Sequence, residues 1–114
     1  MSEVVLGIPG TPVAKGRPRK GLNGHIYTPA RTRAAEAEIA WYAHAAGERF
    51  AGPVRVAIDF YGGRGDVDNL AKLVLDGLQK GELLRNDSQV TKLELAKHPA
   101  DGNPRTIVRV ESLE

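Results

Sequence analysis

The chain has no cysteine, which excludes a disulfide scaffold and thiolate metal sites. Aromatic residues make up only 5% of it, with a single tryptophan, and they do not interleave with the basic residues. That argues against a stacking platform for single-stranded nucleic acid. Long hydrophobic runs are missing too. The apolar start Val4–Ile8 follows Glu3 and stops at Pro9, too short for a signal peptide or a membrane span. The expectation is a soluble protein of a reducing compartment, the cytoplasm. The three histidines, His25, His44 and His98, lack metal-ligand spacing. No internal repeat and no low-complexity tail interrupts the 114 residues, which fit one domain, 1–114. A globule of this size buries roughly 65% of its unfolded surface, enough for a core without staples.

The net charge of +2 hides an uneven distribution. Residues 1–33 hold Lys15, Arg17, Arg19, Lys20, Arg31 and Arg33 against Glu3 alone, whereas the remaining 81 hold ten basic and thirteen acidic residues. A basic third beside an acidic remainder suggests a polyanion-binding face next to something that needs carboxylates.

Val4–Ile8 reads as a short strand. Nine glycines and prolines between Gly7 and Pro29 make 9–24 an irregular, flexible basic loop. His25–Thr28 is a candidate strand pairing with the first, and Thr28-Pro29 a helix start with Thr28 as cap. Ala35, Ile39, Tyr42, Ala43, Ala46 and Phe50 share one face at a 3.6 period, predicting a helix over about 29–46 that Gly47 ends. Val54, Val56, Ile58 and Phe60 alternate with Arg55, Ala57, Asp59 and Tyr61 as in a half-buried strand. A second helix opens near Asp68, buries Leu70, Leu73, Val74, Gly77 and Leu78, and stops at Gly81. Strands over 90–97 and 106–111 follow, joined by a turn-rich 99–104. The expected fold is a single α/β (α+β) domain, a mixed sheet packed with two helices in the order ββαβαββ.

The stretch with chemistry in it is Asp66-Val67-Asp68-Asn69-Leu70-Ala71-Lys72, followed by Asn86-Asp87-Ser88-Gln89. Asp66 and Asp68, two apart, point to one side of an extended chain. If Asp68 begins the helix, Lys72 lies one turn on and shares its face. Asp87 precedes the next strand, where a helix-to-strand return is expected to bring it close to the first pair. Three carboxylates beside a lysine suit Mg²⁺ or Mn²⁺, because converging negative charges need a cation to remain ionised. The same residues also serve as an N-cap, a turn residue and an Asx-turn, and spacing does not separate the two accounts. A calcium loop does fail: Ala71 stands where glycine is required and Gly77 where the bidentate glutamate belongs. Arg64-Gly65-Asp66 spells an adhesion tripeptide, but without secretory or disulfide features.

Lys15-Gly16-Arg17-Pro18-Arg19-Lys20 packs four cations into six residues that cannot form regular structure, a loop able to follow a sugar–phosphate backbone. Arg31 and Arg33 oppose the dipole of the first helix and point to a phosphate partner. Duplex arms are the expected target.

Asp66-x-Asp68-Asn69-x-x-Lys72, Asp76, Asn86-Asp87-Ser88-Gln89-Val90 and Lys97 together resemble the RusA family of Holliday junction resolvases. So does Pro12-Val13-Ala14-Lys15-Gly16-Arg17-Pro18-Arg19, common in its phage and prophage members. The resemblance implies a Mg²⁺-dependent endonuclease of a bacterial cell, encoded by host or phage. It would act as a homodimer on four-way junctions of double-stranded DNA and leave 5′-phosphates by paired nicks during recombination and repair. By motif position it makes Asp66, Asp68 and Asp87 the metal carboxylates and Lys72 the catalytic lysine. Asn86 stands where many members carry a second acid. The chemistry agrees: phosphodiester hydrolysis needs a cation at the phosphate, an activated water and charge stabilisation that Lys72 can supply. Asn69 is a supporting or capping group. Asp76, four residues after Lys72, either pins that lysine or forms an ordinary i,i+4 pair. Two other functions fit the same residues: a nuclease with a broader taste for forks and flaps, and a non-catalytic DNA-binding module.

Overall fold

Alternation of apolar residues builds the sheet. In the computed structural model, which describes residues 2–15, 19–21, 24, 26–27 and 29–114, β1 (Glu3–Pro9) buries Val4, Leu6 and Ile8 and turns the residues between them outward. β4 (Val54–Tyr61) does the same with Val56, Ile58 and Phe60, and β6 (Arg105–Ser112) with Thr106, Val108 and Val110. β6 lies between β1 and β4, antiparallel to both, and β5 (Val90–His98) flanks β4 in parallel. The sheet order β1-β6-β4-β5 makes β1 and β5 the edges.

Two helices cover the apolar face. α1 (Ala30–Ala45) contributes Ile39 and Ala43, and α2 (Val67–Lys80) contributes Leu70, Ala71, Leu73, Val74 and Leu78 to one core with the strands. Gly77 lets the two helices approach closely, since a Cβ there would stand 2.6 Å from Cγ2 of Ile39. α2 is the crossover between the parallel strands β4 and β5. A single turn of 3₁₀ helix, Asp87–Gln89, leads into β5. The long elements fall within a residue of the boundaries expected from sequence, and the order ββαβαββ holds. The single domain is a four-stranded mixed sheet with two helices.

Several expectations need correction. The strand expected at 25–28 does not pair with the first strand. Ile26–Tyr27 (β3) pairs instead with Arg19–Lys20 (β2), a two-residue hairpin within the segment expected to be irregular. β1 is already satisfied by β6, which its longer run of alternating apolar residues fits over seven positions. Pro29 occupies the N-cap of α1 with no side-chain cap bond, and Thr28, the expected cap, lies outside the described residues. Phe50, placed on the helical stripe by periodicity, lies past the end of α1 and bridges to Leu84.

Candidate functional site

The turn after β4 positions the first acids. Gly62, Gly63 and Gly65 all take positive φ, and Gly63 and Gly65 run against Pro12 and Ala14 so closely that a Cβ at either would stand about 3 Å away. Asp66 follows as the N-cap residue of α2, with Asp68 in the first turn and Lys72 one turn on. Asp66, Asp68, Asn69 and Lys72 are exposed, and none of their side chains has a hydrogen-bond or ion-pair partner among the described residues. The positive end of the helix dipole favours the two carboxylates there. Asp66, Asp68 and Lys72 thus lie within the first two turns of one helix.

Asp87 is elsewhere. β4 and β5 start together at Val54 and Val90 and end together at Tyr61 and His98. Asp66 follows the far end of β4 and Asp87 precedes the near end of β5, so about 25 Å of strand separates their levels. Among the described residues no three acidic or histidine side chains are grouped closely enough to hold an ion. The expected proximity is not found within one chain. Asp87 itself is exposed in a turn that its neighbours hold firmly. Asn86 accepts from the Ser88 N–H at 2.9 Å, and Gln89 Oε1 accepts from the Asn86 N–H at 3.0 Å, a reciprocal capping box. Gln89 Nε2 donates to the carbonyls of Phe50 at 2.7 Å and Gly52 at 2.9 Å. Asn86, the departure from the two-acid pattern, is a cap, and the Asp87 carboxylate has no partner among the described residues.

The basic groups divide. The Lys15 N–H donates to the Asn69 carbonyl at 3.0 Å, which sets Lys15 beside the start of α2. The Lys15 ammonium is engaged by Asp76 and lies 3.7 Å from buried Glu36. Its hydrogen bond to Asp76 holds it above the usual lysine range. Asp76 thus pairs with Lys15, not Lys72. Arg17 lies outside the described residues; for Arg19 and Lys20 the backbone alone is described, in β2. Arg31 and Arg33 are exposed at the start of α1, whose first turn holds no acid. Arg31 lines a groove of about 510 Å³ together with Arg64 and the segment Thr11–Ala14.

Two cations at this end were given no role by sequence reasoning. Arg64, two residues before Asp66, also lines a second groove of about 580 Å³ with Lys97 and His98. Lys97 Nζ donates to the Gly65 carbonyl at 2.8 Å and ties the end of β5 to the turn that carries Asp66. On the open sheet face His98 Nε2 lies 2.7 Å from Asp59 and stacks on Tyr61, over whose ring Arg105 stands at 3.7 Å. Arg105 in turn bonds Asp101 and holds its carboxyl below the usual range. Glu36 was missed because a glutamate on a helix is ordinarily read as surface. Its spacing from Ile39 and Ala43, three and seven residues on, was the available signal.

Exposed paired carboxylates, a lysine one turn further along the same helix and nearby grooves lined by Arg31, Arg64 and Lys97 can hold a hydrated divalent cation against a phosphate backbone. Mg²⁺ takes one or two carboxylates and completes its shell with water and phosphate oxygens, so the pair Asp66 and Asp68 fits it. Comparison with curated proteins finds no match. The family model for endodeoxyribonuclease RusA matches residues 9–111. With nearly its whole length covered, the chain belongs to the RusA family of endodeoxyribonucleases.

Proposed function

We propose that this protein is a Mg²⁺-dependent endonuclease that resolves four-way DNA junctions as a homodimer, in the bacterial cytoplasm during recombination and repair. Mn²⁺ is a suitable substitute. The carrying observation is the free acid pair and lysine at the start of α2, flanked by arginine-lined grooves, in a chain that matches the endodeoxyribonuclease RusA model.

Asp66 and Asp68 would hold the ion, which when bound neutralises charge on the scissile phosphate and acidifies water. Lys72 stabilises charge on the phosphate from the same helical face. Arg31, Arg33 and Arg64 hold the strand by its backbone, and Arg17, Arg19 and Lys20 extend that contact along an arm. The nick leaves a 5′-phosphate and a free 3′-oxygen. Asp87 belongs to the same chemistry through the second subunit: one protomer supplies Asp66, Asp68 and Lys72, and its partner supplies Asp87. Separation of these groups within one chain supports that assignment. Two such sites related by a two-fold axis match the symmetry of a four-way junction and its paired nicks.

Subunit mixing tests it. Asp66→Asn and Asp87→Asn each remove a charge and keep the shape, so each homodimer should bind a synthetic junction and cut it orders of magnitude more slowly. After the two variants are mixed and exchanged, heterodimers hold one complete site, and single nicks should return in Mg²⁺ and vanish in EDTA. No recovery on mixing would place all the acids of a site in one chain. A junction, a fork and a linear duplex in parallel read the selectivity; equal cutting of fork and junction would replace resolution by a broader branched-DNA activity.

A further inference from the structure

We propose that Lys15 is a positioning residue for nicking: by holding Asp76 it keeps the Lys72 ammonium free for the phosphate, an inference that rests on the role given to Lys72 above. Lys15 touches α2 at two points. Its N–H bonds the Asn69 carbonyl at 3.0 Å, and its ammonium bonds the Asp76 carboxylate. These points are about 10 Å apart along the helix. Lys72 stands between them, three residues after Asn69 and four before Asp76, on the same side of α2. Asp76 is therefore the carboxylate that Lys72 would ordinarily hold as an i,i+4 pair. Lys72 has no ion pair among the described residues, and Asp76 is bonded to Lys15 instead.

Charge balance explains why Lys15 wins and what its loss would do. Glu36 of α1 is buried and lies 3.7 Å from Lys15 and 3.5 Å from Lys80. Two carboxylates, Glu36 and Asp76, thus face two ammonium groups, Lys15 and Lys80, around a cavity of about 320 Å³. Lys80 follows Asp76 by four residues, the better orientation for a helical pair, yet it is turned to Glu36. A buried carboxylate needs a cation more than a partly exposed one does, so without Lys15 the Lys80 ammonium stays on Glu36 and Asp76 loses its partner. On α2 the other cation within a turn of Asp76 is Lys72. Lys15 has two advantages over it: its backbone is already fixed at Asn69, and it faces both carboxylates where Lys72 would have one.

Capture by Asp76 would harm the reaction in two ways. It would draw the Lys72 ammonium toward the C-terminal end of α2, away from Asp66 and Asp68 at its start. It would also neutralise the ammonium with a carboxylate where the phosphate needs that charge. The first cation of the basic segment therefore acts through Lys72 rather than on the DNA.

Single-turnover nicking of a saturating synthetic junction in Mg²⁺ tests it. Lys15→Met should lower the rate about fivefold and change junction affinity by less than about twofold. Adding Asp76→Asn to Lys15→Met should bring the rate back to within about twofold of the native chain, because no carboxylate is left to capture Lys72. A purely structural role would also gain from that second change, so the deciding comparison is made in Lys72→Met. There Lys15→Met should cost nothing further; an equal loss in that background would overturn the proposal. Native-like nicking by Lys15→Met would overturn it too, as would a loss confined to affinity and salt slope, which would make Lys15 a phosphate contact. Capture is also read without cleavage: NMR of the lysine ammonium groups should show Lys72 against Asp76 in Lys15→Met and not in the native chain. No such contact would overturn this inference alone, and the proposed function would stand if Lys72→Met is still slow. A Lys72→Met chain that nicks at the native rate would instead overturn the role of Lys72 and, with it, that of Lys15.

Discussion

At Gly77 the helix layer has little room for a single methyl group. Gly77 lies on the buried stripe of α2, facing α1, and an alanine Cβ would stand 2.6 Å from Ile39 Cγ2, 2.7 Å from Ile39 Cβ and 3.2 Å from the Glu36 carbonyl. Two effects oppose each other in Gly77→Ala. Alanine is the better helix former by about 1 kcal/mol. Overpacking a closed core costs about 1–3 kcal/mol. Ile39 is only 5% exposed and β-branched, hence nearly fixed in one helical rotamer, so it cannot swing aside. Its Cβ moves only with the backbone, so relief requires α1 to shift. A turn later Gly81 abuts Ala43 and the Ala40 carbonyl, and this second close approach keeps the helices together. The steric cost should win, with a net loss of about 1–2 kcal/mol and a Tm lower by about 4–10 °C. Thermal and urea unfolding read it. Ile39→Ala removes Cγ2, so Gly77→Ala should cost at least about 0.5 kcal/mol less in that background than in the native chain. A Tm that is unchanged or raised by Gly77→Ala would refute the argument, because helix propensity would then outweigh a contact that α1 yields freely.

Arg17→Ala with Arg19→Ala should weaken junction binding and flatten log K against log salt by about one to two units, through fewer released counterions. Equal slopes for variant and native chain would confine the DNA path to Arg31, Arg33 and Arg64. The Lys15–Asp76 pair should show itself at alkaline pH. The lysine's folded pKa is raised, so its stabilisation is complete below the ordinary value of 10.5 and is lost as pH rises through the folded value. Urea midpoints of the native chain should therefore fall toward those of Lys15→Met between about pH 10 and 12. Parallel midpoints across that range would show that the pair contributes nothing.

Most of the fold was legible because its signals are local. Alternation in Val54–Phe60, the apolar stripe from Leu70 to Leu78 and the stops at Gly47 and Gly81 each depend on a few neighbouring residues. Strand pairing was not legible, since it compares alternatives distant in sequence. Ile26–Tyr27 had two possible neighbours, and the nearer one, Arg19–Lys20, costs less loop closure. The start of α2 was readable for the same local reason as the helix itself: Asp66, Asp68 and Lys72 depend only on where the helix begins. Lys15 could not be assigned from its neighbours. A lysine among arginines reads as one more phosphate contact until the fold brings Asp76 and Glu36 to it.

The separation of Asp87 from Asp66 follows from the direction of one strand. Had β5 run antiparallel to β4, the return from α2 would have entered it at the other end. Because the two strands are parallel, α2 must travel back along the sheet, about 21 Å for its fourteen residues, before β5 can begin. Any residue that opens the helix and any residue that opens the second strand are then at opposite ends. Neither end is free to close the gap: Gln89 fastens the Asp87 turn to Phe50 and Gly52, and Lys97 fastens the Asp66 turn to β5. If these carboxylates act on one phosphodiester, as proposed, one of them must come from a second chain. A two-fold axis would supply that chain and, with it, a second identical site. Under the proposed two-subunit site, a chain of this topology completes two sites or none.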